Sequence, residues 1–465
     1  MTKTRRPLAP LPRRSVRAAT AVLALTGLLA AAGCSGRTAS DPPPAGPVTA
    51  VPAALSPSAG PSGPSSGPSS GSSSAASSAS GSASGSASGS PSASGSSPTA
   101  GGTVAALTPD VTARLDSAVQ KVLSEASVPG VMVALTTPDG SYLKAFGVSD
   151  KVAGTPMVTG LNMRIGSETK TFTVTGLLRL VDQGKAGLDD PVGKYVAGVP
   201  GGDTITLRQL ADMRSGLFNY SADPDFQQAV VNDPNRVFTP QQLLSYAFDH
   251  PADFAPGSAF EYSNTNTVLI GLVVEKLSGQ PLDVFLKQQV FDPAGLGRTV
   301  FPTDAAFPQP HARGYTDQTP DGSIADATDW NPSWAWAAGA VISDLADMQK
   351  WAKVLATGTL LKPATQAERL VTPPTPLPDV GYGLGLFVNH GWVGHNGSLP
   401  GYQSAVVYLP SAQATLAVLL NTDISSQGEE PSTLFAKAIT EIVSPGNVYS
   451  FPPATASSSP SASVT

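Results

Sequence analysis

Arg164-Ile165-Gly166-Ser167-Glu168-Thr169-Lys170-Thr171-Phe172-Thr173 is the stretch on which the reading of this chain turns. Ser167 and Lys170 are three residues apart at what reads as a helix start, and residues i and i+3 share a helix face. A hydroxyl held beside an amine there makes an activated nucleophile. The free N–H groups and positive dipole end of a helix N-terminus favour negative charge as it develops. Phe172, Val174, Leu177, Leu178 and Leu180 are expected on the buried side of that helix.

Two further segments carry chemistry. Tyr262-Ser263-Asn264 stands before an apolar helix from Val268 to Leu277, so a phenol and an amide project from one loop. Gly394-His395-Asn396-Gly397-Ser398 is bounded by strand-like runs, which puts an imidazole and an open backbone edge beside a cleft. The four histidines, His250, His311, His390 and His395, are dispersed without metal-ligand spacing. A metal-dependent hydrolase is therefore set aside, and no metal or cofactor is expected.

Around these segments the chain alternates in a recognisable order. Thr108-Pro109-Asp110 caps a helix with Val111, Leu115, Val119 and Val122 at helical spacing. Val131–Leu135 and Ser141–Gly147 flank the turn Thr137-Pro138-Asp139-Gly140 and read as a hairpin. Helix and loop dominate from about residue 190 to about 300. Tyr382–Phe387, Ser404–Leu409 and Thr415–Leu420 read as late strands, followed by a helix from Ser432 to Ile442. Early and late strands enclosing a helical middle predict an α+β fold: one antiparallel sheet built from both chain ends and flanked by helices, with an inserted, mainly helical subdomain.

The three segments, in this order, resemble the serine β-lactamase-like superfamily. The likeness extends to Gly184–Pro191, Ile205–Leu210, Arg214–Leu217, Ala338–Ser343, Gly381–Leu386 and Gly401-Tyr402, and covers nearly all of residues 105–443. It is nearest to class C β-lactamases and streptomycete D-alanyl-D-alanine carboxypeptidases, which are penicillin-binding serine hydrolases. The resemblance implies that Ser167 is the nucleophile and Lys170 its partner. It implies that Tyr262 moves protons to and from the leaving group, and that Asn264 bonds the substrate amide and the Lys170 amine. His395 takes the place where many relatives have Lys. The backbone N–H groups of Ser167 and Ser398, with Gly397 between His395 and Ser398, would form the oxyanion hole. Whether neutral Lys170 or a Tyr262 phenolate takes the Ser167 proton is left open by the sequence, because the two would titrate as a coupled pair.

The substrate end departs from the carboxypeptidases. They carry basic residues after the strand matching Gly381–Leu386, whereas this chain has Phe387-Val388-Asn389-His390 and no Lys or Arg from Leu370 to Ala436. A C-terminal carboxylate would have to be met by His390, His395, Ser398 or a distant Arg such as Arg313. Phe226, Trp334 and Trp336 are expected to line the cleft with apolar walls. The activity expected is that of a D-Ala-D-Ala carboxypeptidase or penicillin-binding enzyme. The alternatives are a β-lactamase or carboxylic-ester hydrolase of the same fold, or a non-catalytic ligand-binding module.

The ends of the chain imply export. Lys3, Arg5, Arg6, Arg13, Arg14 and Arg17 precede an apolar run from Ala18 to Ala32, the pattern of a signal peptide over residues 1–34. Arg13-Arg14 leaves twin-arginine export open beside the general route. Cys34, the only cysteine, follows Ala32-Gly33 as in a bacterial lipobox and would carry a lipid anchor. Residues 35–104 are almost entirely Ser, Gly, Pro and Ala and read as a disordered tether, as do residues 450–465, leaving 105–449 as the hydrolase domain. A net charge of −6 with no basic cluster beyond the leader excludes a nucleic-acid partner. The expected partners are a small molecule or peptidoglycan peptide as substrate and a membrane through the anchor, with the protein outside the cytoplasmic membrane as a monomer.

Overall fold

The computed structural model describes residues 104–452. The leader, Cys34 and nearly all of the Ser/Gly/Pro tether lie outside the described residues, as does the tail beyond Pro452.

Helix α1 spans Pro109–Glu125, with the Thr108 hydroxyl accepting from the Val111 amide. It leads into the hairpin of β1 (Gly130–Thr137) and β2 (Gly140–Asp150), paired from Gly130↔Gly147 to Thr137↔Gly140. Strand β3 (Thr155–Pro156) extends that edge. After a one-turn helix at Gly166–Glu168 comes α2 (Thr169–Asp182). The helical middle includes α3 (Asn264–Ser278), and α4 (Leu345–Thr357) follows it. The late strands are β4 (Val380–Tyr382), β5 (Phe387–Asn389), β6 (Trp392–Leu399), β7 (Tyr402–Leu409) and β8 (Ala414–Leu420), closed by α5 (Pro431–Val443).

The eight strands form one antiparallel sheet in the order β3-β2-β1-β8-β7-β6-β5-β4. The first and last thirds of the domain meet at β1 and β8, from Val131↔Leu420 to Thr136↔Thr415. This is the mixed architecture expected from early and late strands around a helical middle.

Strand periodicity divides β1 between two cores, since successive side chains point to opposite faces. Val131, Val133 and Leu135 pack with Leu115, Val119, Phe435 and Ile439 of α1 and α5. Met132 and Ala134 face the other way, into the larger core with Phe172, Leu177 and Trp351 of α2 and α4. Each such side chain, fully buried, contributes roughly 1.5–3 kcal/mol. All five residues expected on the buried side of α2 are buried.

Two boundaries differ from the sequence reading. Tyr382–Phe387 is not one strand: β4 ends at Tyr382, Gly383–Leu386 turns, and β5 begins at Phe387. The cause is local. Gly385 has φ +71°, its N–H donates to the Ala211 carbonyl, and a Cβ there would stand 2.6 Å from Val174. A left-handed glycine in close contact cannot continue an extended ladder. The folded part also runs past residue 449. Ser450 exchanges hydrogen bonds with the Asn389 side chain, and Phe451 packs edge-on against Phe387 at 5.3 Å.

Candidate active site

Ser167 sits in the turn before α2 rather than in the α-helix itself, and Lys170 lies one turn on, its Nζ 2.9 Å from Ser167 Oγ. Lys170 is fully buried while Ser167 keeps 9% of its surface exposed, so of the pair only Ser167 meets solvent. Lys170 Nζ also donates to Asn264 Oδ1 (2.6 Å) and to the Ala338 carbonyl (2.9 Å). Burial holds its pKa well below the ordinary lysine value, and no carboxylate counters it.

The donor count gives this arrangement its meaning. A neutral amine has two N–H donors and one lone pair. Two of the three partners are carbonyl oxygens, which only accept. In the neutral form Asn264 and Ala338 would take both N–H groups and the lone pair would face the Ser167 hydroxyl, whereas an ammonium donates to all three oxygens. The Asn264 orientation is fixed from behind, because its Nδ2 donates to Ser221 Oγ at 2.9 Å.

Asn264 is the first residue of α3, so Tyr262-Ser263-Asn264 is a helix entry rather than a free loop. The loop at residues 213–221 clamps it. The Asn264 N–H donates to Asn219 Oδ1, Thr265 Oγ1 donates to the Phe218 carbonyl, and the Glu261 N–H donates to the carbonyl of Met213, a residue held at φ +62°. Tyr262 presents its ring 4.8 Å from Lys170 Nζ. Its hydroxyl is buried without a well-formed hydrogen bond. Burial raises its pKa far above the ordinary phenol value, and proximity to Ser167 pulls only weakly the other way. The phenol therefore stays protonated and can serve as a proton donor, while the amine is the better base.

His395, Gly397 and Ser398 all lie within β6, not in a loop between strands. Strand β5 pairs with β6 only at Trp392–Gly394, so the edge from His395 to Leu399 has no strand partner on that side. The Gly166 turn fills the gap. A Cβ on Gly166 would stand 2.5 Å from Ser398 N, and one on Gly397 would stand 2.0 Å from the Ile165 carbonyl oxygen and 2.9 Å from Ser167 N. Only glycines permit this approach, and Gly166 also needs its φ of +56°. It brings the backbone at Ser167 and Ser398 together, the juxtaposition an oxyanion pair requires.

His395 is a neutral imidazole, its pKa pushed down to about 3 chiefly by burial. Nδ1 lies against the Asn396 carbonyl, which can only accept, so Nδ1 carries the proton. Nε2 is then an acceptor, met by the Tyr382 hydroxyl at 3.3 Å. Asn396 Nδ2 itself donates to the half-buried Glu430.

The remaining expectations sort unevenly. Phe226 and Trp334 do not wall the cleft. Phe226 is wholly buried among Tyr220, Phe238, Tyr246 and Trp334, and Trp334 is nearly so, both in the packing of the helical middle. Arg313 is held by Asp150 and Asp326. The sequence reading gave no role to Ala338, Asn219, Ser221, Tyr382 or Glu430. Of these only Tyr382, in its Gly-Tyr-Gly-Leu-Gly run, carried a visible signal. Among the described residues no group of three His, Cys, Asp or Glu is placed to hold a metal ion.

Comparison with known proteins identifies the family and supports the fold. The family model described as Beta-lactamase matches residues 115–438. A D-stereospecific amidohydrolase from Streptomyces sp. is 32% identical, with a TM-score of 0.64 over 71% of this chain and 97% of that one. The D-amino acid amidase from Ochrobactrum anthropi SV3, complexed with D-phenylalanine, is 26% identical, with a TM-score of 0.65 over 72% and 98%. The octameric penicillin-binding protein homologue from Pyrococcus abyssi is 27% identical, with a TM-score of 0.61 over 71% and 76%.

Proposed function

The chain belongs to the beta-lactamase family, and from that premise we propose that it is a serine hydrolase whose acyl-enzyme forms on Ser167 and whose preferred acyl donors are D-aminoacyl amides with an uncharged leaving side. The observation that carries the reading is the Lys170 amine, 2.9 Å from Ser167 Oγ with both of its other partners carbonyl oxygens.

The steps follow from the donor inventory. Lys170 takes the Ser167 proton as Oγ bonds to the substrate carbonyl carbon. The oxyanion is held by the Ser167 and Ser398 N–H groups. The C–N bond breaks as Tyr262 gives its proton to the departing amine, and the Lys170 ammonium then hands the proton it took from Ser167 to the Tyr262 phenolate. Water then attacks the ester, its proton passing to Lys170, and Ser167 recovers a proton as the acid leaves.

Preference for a neutral leaving side rests on the strand half of the site. A terminal carboxylate is held best by a guanidinium or ammonium. Here His395 is neutral, Arg313 is engaged by two carboxylates, and Leu370–Ala436 has no Lys or Arg. The likeness to two D-selective amide hydrolases points the same way. A D-Ala-D-Ala carboxypeptidase or penicillin-binding role is the second reading, favoured by the archaeal penicillin-binding homologue.

The test has two parts. A fluorophosphonate should label the protein once, and Ser167→Ala should abolish labelling. The kcat/KM values of a D-aminoacyl amide and of the matching dipeptide with a free terminal carboxylate are then compared. A charge-assisted hydrogen bond is worth about 1.5–3 kcal/mol, so a preference above about tenfold for the free carboxylate means that a cation reaches the site and overturns this reading.

We propose further that the protein is exported and anchored through Cys34 outside the cytoplasmic membrane, where the Ser/Gly/Pro tether carries the hydrolase toward the wall. Cys34→Ala should release it from the membrane fraction, and unchanged fractionation with normal processing counts against the anchor. Action as a monomer is part of the same proposal, tested by sedimentation equilibrium.

A further inference from the structure

A cavity of about 250 Å³ lies outside the catalytic centre, and no side chain of that centre lines it. Its walls are Phe238, Leu282, Phe301 and Trp336. The first three are buried, so the apolar surface is preformed. Three acidic residues, Glu275, Asp283 and Asp304, also line the space, and no lysine or arginine does; Glu275 Oε1 accepts from the Leu282 N–H and Asp304 Oδ1 from the Ala306 N–H. Burial above all pushes the Glu275 pKa up, the Leu282 N–H works against it, and the Asp283 charge adds a smaller upward push. Arg236 stacks on the Phe238 ring at 4.6 Å and does not itself line the space.

Aromatic faces and carboxylates with no lysine or arginine in the same lining are complementary to a single class of ligand. Apolar walls take a hydrocarbon body, aromatic faces attract cations, and carboxylates accept N–H donors. The volume falls below the roughly 300–1,000 Å³ of drug-sized sites, so the ligand is small. We propose that this cavity is a second binding site, specific for a small organic ammonium with an apolar or aromatic body.

The cavity shares one segment with the catalytic centre. Trp336 and Ala340 line it. Between and beside them, the Ala338 carbonyl accepts from Lys170 Nζ, the Ala337 carbonyl accepts from Thr173 Oγ1, and the Val341 N–H donates to Thr169 Oγ1. Trp336 is held at φ +34°, a strained backbone for a bulky residue and a kind of strain that concentrates at ligand sites.

The probe is 2-phenylethylammonium, titrated calorimetrically into the full chain, untreated and with Ser167 blocked by a fluorophosphonate. The expected result is one saturable site in both, bound at least about tenfold more weakly by Asp283→Asn/Asp304→Asn, the loss of one charge-assisted contact. Neutral 2-phenylethanol should bind the wild type at least about tenfold more weakly than the ammonium, by the same argument. Thr303→Trp, which fills the space, should remove binding. Each variant should still react with fluorophosphonate at the wild-type rate, which shows that it is folded. Equal affinity in the double variant, equal affinity for the alcohol, loss of binding on blocking Ser167, or no saturable binding at millimolar probe overturns the site. A wild type that cannot be phosphonylated overturns the Ser167 reading instead, and the carboxylate variants then decide the cavity.

Discussion

The two halves of the catalytic centre are built on opposite principles. On the helix side, α2, α3 and the turns before them supply side chains: Ser167, Lys170, Asn264 and Ser221 form a continuous hydrogen-bonded chain. On the strand side, β6 supplies mainly backbone, with Gly397 fitted against Ile165 and a single neutral imidazole turned inward to Asn396 and Tyr382. The helix side makes and moves a proton whatever the substrate. The strand side holds an oxyanion and meets the substrate's far end, and it does so without a positive charge. Chemistry and selectivity are therefore separable, and each half can be broken without the other.

The largest effect is expected on the helix side. Lys170→Ala removes the base and should slow acylation by about 10²–10⁴, the usual worth of general-base help. A loss below about tenfold, measured by stopped-flow labelling, would contradict the role. The pH profile supplies the sign. Acylation needs neutral Lys170, so the rate rises with pH through the Lys170 pKa. Burial depresses that pKa, which puts the midpoint of the rise below the ~10.4 of free lysine. Tyr262 is shifted the other way and remains protonated, so it adds no fall across neutral pH. His395, at about 3, is already neutral there, and His395→Gln should leave the midpoint where it is.

Next comes the strand side's backbone. In Gly397→Ala the new methyl would meet the Ile165 oxygen at 2.0 Å and Ser167 N at 2.9 Å, both main-chain atoms that cannot rotate away. The two amides must separate, and kcat should fall by about 10²–10³, the cost of one oxyanion donor. Near-ultraviolet circular dichroism checks that the fold survives. An active Gly397→Ala enzyme would mean that the oxyanion is held elsewhere.

The same division explains what the sequence made legible. Ser167, Lys170, Tyr262 and Asn264 announce themselves because fixed spacings on helices carry side-chain chemistry. The Ala338 carbonyl that completes the Lys170 shell has no residue-type signature, since any residue supplies it. The sheet was readable at β1, where period-2 apolar runs are long. It was misread at Tyr382–Phe387, where alternating glycines imitate a strand although Gly385 needs a left-handed φ. Phe226 and Trp334 were placed in the cleft because aromatic residues suit a cleft wall and a core equally well, and only packing tells the two apart.

A smaller effect tests selectivity alone. His395→Lys puts an ammonium on the strand side while every helix-side residue is kept, and the ratio of two substrates cancels any common effect on the Lys170 base. The ratio of kcat/KM for free-carboxylate over amide donors should rise by roughly ten- to a hundredfold, one charge-assisted contact's worth. An unchanged ratio would show that the far end of the substrate does not lie over β6.

The smallest effect is expected from Tyr382→Phe. The ring is buried against Phe387 and His395, and phenylalanine keeps that packing. What is lost is one donor to His395 Nε2, at a long 3.3 Å. An acceptor left unpaired in a buried site costs about 1–3 kcal/mol, and the long contact puts this case at the low end. Stability should therefore fall by about 1 kcal/mol in denaturant titration. The Nδ1 proton remains fixed by the Asn396 carbonyl, so the imidazole keeps its tautomer and its neutrality. Amide turnover should then change by less than about tenfold, about 1.4 kcal/mol on the barrier. Nitrogen NMR of His395 checks the tautomer directly. A switch of the proton to Nε2 would turn a donor toward the site, and in that case the substrate preference should move together with the spectrum.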